Sequence, residues 1–134
     1  MLCGLIGYER EFRRKPAGVR TDMLVGIGTA AMTIASIEIA RLDPNGVVDI
    51  SRIASTILTG IGFIGAGTII QSKGGIVLGL TTAASIWVVA AIGLAMGLGM
   101  YALAIVAAVM TLSVLVVLHS LKVPEGHNEE KNKE

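Results

Sequence analysis

From Ile76 to Leu118 the chain runs for 43 residues without an Asp, Glu, Lys, Arg or His. About 20 apolar residues cross a bilayer, so this run is about twice what one crossing needs. As a single helix it would be about 65 Å long, against a hydrocarbon core of about 30 Å, and it must therefore fold back on itself. The turn is expected at Gly97-Leu98-Gly99-Met100, where two glycines permit tight backbone geometry and interfacial water can satisfy the amides. Hydrophobic residues make up 53% of the 134, and the mean hydropathy of +0.74 exceeds what a soluble core needs. The sequence thus predicts one domain, all-α, a polytopic transmembrane helix bundle.

A formal net charge of +1 leaves no nucleic-acid footprint, and the basic residues cluster in loops and tail. Cys3 is the only cysteine, which excludes a disulfide within the chain and a metal site built on several thiolates, so it reads as a small apolar filler.

Four complete spans are expected, preceded by a stub. Met1 to Gly7 is apolar but too short to cross, and it runs straight into Glu9, Arg10, Glu11, Arg13, Arg14 and Lys15. This order is the reverse of a signal peptide and reads as the cytoplasmic end of a truncated first helix. The spans are Met23 to Ala40, entered through a capping Thr21-Asp22 and followed by the turn Asp43-Pro44-Asn45-Gly46; Ile53 to Ile70; Leu80 to Met96; and Met100 to Leu118. Residues 1–122 form the transmembrane domain and 123–134 a charged tail. Lys and Arg near span ends place the first loop, with Arg10, Arg13, Arg14, Lys15 and Arg20, on the inside together with Lys73 and Lys122. The loop from Arg41 to Arg52 then faces outward.

Gly60-Ile61-Gly62-Phe63-Ile64-Gly65 fits the G-x-G-x-x-G pattern of dinucleotide sites, but it lies inside an apolar span and Leu80 stands where an acid is needed. Small residues packing helices together is the better reading for Gly60, Gly62, Gly65 and Gly67, and Gly26 to Ala30, Gly75 to Gly79 and Gly93 to Gly97 repeat the spacing. Thr81 and Thr82, after Gly79 at the start of a span, offer a helix N-terminus to an anion or a partner loop, and Trp87 is expected to pack inside the bundle.

Three acids, Glu38, Asp43 and Asp49, lie near one outer mouth and are candidates for a cation such as Mg²⁺, which favours carboxylate oxygens with waters retained. The alternatives are a hydrated or Arg41-paired Glu38 and a solvated turn in which Asp43 and Asp49 cap. Glu9 to Thr21 is the most information-dense segment. Its mixed signs (Glu9, Arg10, Glu11, Lys15, Arg20, Thr21) exceed what topology requires, and Pro16 with Gly18 forces a shaped turn. A docking or gating surface competes there with contact to anionic lipid.

Gly7-Tyr8-Glu9-Arg10-Glu11, Lys15-Pro16-Ala17-Gly18-Val19-Arg20-Thr21, Gly60 to Gly67 and Gly79 to Trp87 together resemble the membrane domain of the MgtC/SapB family. The resemblance implies a bacterial or archaeal inner-membrane protein of about five helices, with the Glu9 to Thr21 loop and the tail cytoplasmic. It also implies a link to growth or survival in low magnesium and, for some members, action on the membrane ATP synthase. The family's first helix is mostly absent here, and so is the soluble domain that some members carry after the last helix. Neither the residues nor the resemblance offers a nucleophile beside a base, a metal cluster or a phosphate loop. The expectation is a non-enzymatic membrane protein without a cofactor, for which Mg²⁺ is at most a transported or sensed ion and the partners are the lipid bilayer and another membrane complex or a second copy. A cation channel and a purely structural assembly protein are the alternatives.

Overall fold

The computed structural model describes residues 1–71 and 75–120, most of them in five helices: α1 (Leu2–Phe12), α2 (Val19–Leu42), α3 (Ile50–Ala66), α4 (Leu80–Gly97) and α5 (Tyr101–Ser120). Lys73, Lys122 and the tail lie outside the described residues.

Each boundary has a local cause. The segment Glu9 to Thr21 is less of a loop than expected, because α1 continues to Phe12 and α2 already starts at Val19. Pro16 and Gly18 break the chain, and the Glu11 carboxylate accepts the Val19 N–H at 3.0 Å. Thr21 and Asp22 therefore lie within the first turn of α2 instead of capping it. Asp49 caps α3, accepting both the N–H (2.8 Å) and the hydroxyl (2.7 Å) of Ser51.

α3 stops at Ala66, short of the expected Ile70. Beyond it β1 (Ile70–Gln71) pairs antiparallel with β2 (Val77–Leu78), Ile70 opposite Leu78 and Gln71 opposite Val77. Gly79 folds this hairpin against the end of α3 with φ +90°, and a Cβ there would strike the Thr68 carbonyl. The turn between α4 and α5 falls where the sequence placed it. Gly99 sits at φ +74°, its N–H donates to the Met96 carbonyl (3.1 Å), and the Met100 N–H donates to the Ala95 carbonyl (2.8 Å), which is a Schellman ending.

α4 touches all four other helices. Its Val89, Ile92 and Ala95 pack with Ile6 of α1 and with Ala104 and Ala108 of α5, while Ile86 and Ala90 pack with Ile57 and Ile61 of α3. Contact with α2 is tighter still. A Cβ on Gly93 would collide with the Thr29 hydroxyl and lie 2.5 Å from the Gly26 carbonyl oxygen, so two backbones meet there as small-residue interfaces allow.

The helical architecture matches the expectation, and the span count matches in part. Among the described residues α2 and α4 are long and apolar enough to cross a membrane, whereas α3 and the Tyr101–Val117 part of α5 are apolar but shorter.

Candidate functional site: a buried polar cluster at one end of the bundle

Five buried residues of α2, Asp22, Gly26, Thr29, Thr33 and Ser36, repeat at alternating steps of four and three and so form one stripe along the helix. Thr29 and Thr33 satisfy their hydroxyls within the helix, donating to the carbonyls of Val25 (2.9 Å) and Thr29 (2.7 Å). At the far end Thr33 and Ser36 line a cleft of about 280 Å³ with Ile50, Ala54 and Leu94. At the near end stands Asp22, 0% exposed, with both carboxylate oxygens unpaired among the described residues.

The side chain that answers Asp22 comes from α1. Because α1 stays helical past Gly7, it carries Arg10 into the bundle, where the residue is 4% exposed. Its guanidinium donates to the hydroxyl of Thr82, buried at the start of α4, and acts electrostatically on Asp22. Three helices thus contribute one member each to a buried cluster of cation, anion and hydroxyl. A charge inside a bundle is costly unless paired and hydrogen-bonded, and here Arg10, bonded to Thr82, gives Asp22 a nearby opposite charge but no hydrogen bond among the described residues.

The neighbouring acids are partly occupied, one Glu9 oxygen staying buried and unpaired among the described residues where its charge also acts on Arg10. Glu9 pairs with Arg13 one turn along α1, and Glu11 caps α2. The connection between α1 and α2 is therefore held at both ends, by Arg10 on α4 and by Glu11 on Val19.

The other sequence candidates are placed as follows. Glu38 pairs with Arg41 at 2.7 Å on the exposed end of α2. Asp43 accepts the N–H groups of Asn45 (3.0 Å), Val47 (2.7 Å) and Val48 (2.9 Å), which pull its carboxyl below the usual carboxylate range. The Ser51 hydroxyl, then the Ser51 N–H, does the same for Asp49. The three acids are used locally, and among the described residues no three His, Cys, Asp or Glu side chains gather as a metal site. Lys15 and Pro16 are exposed in the connection. A Cβ built on Gly60 or Gly62 would meet nothing within 4 Å, Gly65 is buried and a Cβ there would lie 3.5 Å from the Ala83 Cβ, and Gly67 ends α3. Thr81 is exposed.

Trp87 departs from the expectation of packing inside the bundle. It is 48% exposed, because the inward positions of α4 are taken by Ser85, Ile86, Val89 and Ala90, which leaves Trp87 on the opposite side.

Sequence reasoning read Asp22 as a cap and missed its place in the cluster. The signal was present in the spacing, since Asp22 is in register with Gly26, Thr29, Thr33 and Ser36.

The MgtC family model matches residues 1–123. YhiD of Escherichia coli strain K12 is 53% identical over 123 residues, covering 89% of this chain and 56% of YhiD. Protein MgtC of Brucella abortus strain 2308 is 42% identical over 121 residues, covering 90% of this chain and 48% of that protein. Protein SapB of Bacillus subtilis strain 168 is 40% identical over 100 residues, or 72% of this chain and 43% of SapB. The chain spans about half the length of these relatives, and no solved structure matches it. With the family model matched over residues 1–123, which take in all five helices, this chain belongs to the MgtC family.

Proposed function

We propose that this chain is the membrane part of a non-enzymatic protein that supports magnesium homeostasis by regulating another membrane complex, with α3 and α5 crossing the bilayer beside α2 and α4. The observation that carries the reading is the Arg10, Asp22 and Thr82 cluster. It fastens the connection between α1 and α2 to α4, the helix that all others touch, so a force on that connection reaches the whole bundle. The link to magnesium rests on YhiD, whose given name makes it a candidate magnesium transporter, and on the family.

That name also favours a second reading, cation transport. Local use of Glu38, Asp43 and Asp49 speaks against an acidic outer mouth. Mg²⁺ flux into proteoliposomes, read by an internal indicator beside empty vesicles, separates the two. The regulatory reading expects no flux from folded, correctly oriented protein, and a co-purifying membrane complex that Arg10→Gln releases without loss of membrane insertion. Saturable flux would overturn it in favour of transport.

A further inference from the structure

The chain ends two helices with the same hydrogen-bond motif and fills it differently. After α4 the left-handed position is Gly99; after α1 it is Arg14, at φ +53°. The Arg14 N–H donates to the Glu11 carbonyl (2.9 Å) and the Lys15 N–H to the Arg10 carbonyl (3.0 Å), the same pair of bonds that closes α4. Glycine suits that position because a Cβ is strained there; here it is an arginine, and Ala17 at φ +59° is a second non-glycine residue in the left-handed region of the same connection. Its side chain is exposed, as are those of Lys15 and Arg20, and none of the three makes an ion pair among the described residues.

Of the acids that break the basic character of this segment in the sequence, only Glu11 is exposed in the fold, and it keeps its charge beside Gly18. Glu9 is spent on Arg13, Asp22 lies buried beside Arg10, and one Glu11 oxygen is spent on the α2 N-terminus. Directly before the connection, Tyr8 and Phe12 stack with ring centroids 6.4 Å apart and stand 65% and 78% exposed, and a tyrosine so exposed suits a membrane–water interface.

We infer that Arg14, Lys15 and Arg20 form a seat for the phosphate of an anionic phospholipid headgroup, with Tyr8 and Phe12 at the level of the lipid glycerol. The inference is independent of the regulatory reading, because it needs no partner protein. Guanidinium and ammonium groups supply the donors a phosphate monoanion requires, and a short connection fixed at both ends presents them with little ordering cost.

Native mass spectrometry of the detergent-solubilised full chain, titrated with phosphatidylglycerol and with phosphatidylcholine, tests it. Each basic residue near an anionic surface contributes about fivefold in affinity, so Arg14→Gln/Lys15→Gln/Arg20→Gln is expected to lose roughly 100-fold in phosphatidylglycerol retention and nothing in phosphatidylcholine retention. Arg14→Gly is the sharper variant. It relieves the left-handed strain, so its thermal midpoint is expected to equal or exceed the parent's while phosphatidylglycerol retention drops about fivefold. Equal retention of both lipids by the parent, or undiminished phosphatidylglycerol retention by the triple variant, would overturn the inference and leave the basic face to an acidic protein surface. Displacement of the lipid by inorganic phosphate at matched concentration would overturn it in favour of a free anion. A lower midpoint for Arg14→Gly would make Arg14 a structural residue and overturn its part.

Discussion

Arg10 and Thr82 lie 72 positions apart in the chain and meet side chain to side chain inside the bundle, the guanidinium of α1 donating to the hydroxyl that opens α4. Asp22 of α2 completes the group, so removing the cation leaves a buried carboxylate with no counter-charge. Arg10→Met is expected to cost about 3 kcal/mol in detergent unfolding. Adding Asp22→Leu should recover most of that loss, since it removes the orphaned charge as well. A double variant no more stable than Arg10→Met would show that the two residues do not share one electrostatic interaction.

The approach of α2 to α4 depends on Gly93 having no side chain. Gly93→Ala sets a methyl against the Thr29 hydroxyl and the Gly26 carbonyl, and overpacking of this kind costs about 2 kcal/mol. Gly60→Ala, with open space around the position, serves as the control and should leave the unfolding midpoint near the parent's. Similar losses for the two variants would argue against the close contact.

The turn between α2 and α3 carries an acid-sensitive element. The N–H groups of Asn45, Val48 and Val47 hold the Asp43 carboxyl below its ordinary value, as the Ser51 hydroxyl and N–H hold Asp49. With folded values depressed, the stabilisation is fully present above the unfolded carboxylate pKa of about 4 and is lost as pH falls through the folded values. Amide exchange at Asn45, Val47, Val48 and Ser51, corrected for the intrinsic pH dependence, should therefore show constant protection from neutral pH down to about 4 and falling protection below it. Asp43→Asn should abolish that acid step at the first three amides and leave Ser51 unchanged.

Trp87 reports which side of α4 meets lipid. Half-exposed on the side away from Ile86 and Val89, it should be quenched strongly by brominated acyl chains in reconstituted vesicles. Weak quenching would place another protein surface over that face.

What was legible in the sequence was decided by one-dimensional signals. The charge-free run from Ile76 to Leu118 required two helices, and Gly99 marked the turn between them, because both facts follow from length and backbone freedom alone. The hairpin of Ile70–Gln71 with Val77–Leu78 escaped, since two residues are too few to show alternation. At the cluster the difficulty was contact. Arg10 looks like one more basic residue of an inner loop, Asp22 like a cap and Thr82 like part of a helix start, and only the packing of α1 and α2 on α4 brings the three together. Trp87 shows the converse. A large apolar residue suggests a core, but the face it occupies is set by its register with Ser85, Ile86 and Val89, and lipid accepts it as readily as protein does.

That every other helix rests on α4 also bears on how the molecule is made. The ribosome produces α1, α2 and α3 before the α4 residues they must pack against exist, and Asp22 and Arg10 enter the nascent chain 60 and 72 positions ahead of Thr82. Until α4 emerges, the polar stripe of α2 has only part of its final surroundings, Cys3 of α1 beside Gly26 and the start of α3 beside Ser36, and the early helices are held only by one another and by whatever insertion machinery shelters them. Assembly of this bundle is for that reason a late event, completed from the C-terminal side, with the buried charges reaching their final surroundings only when Thr82 arrives and the core closing when α5 follows.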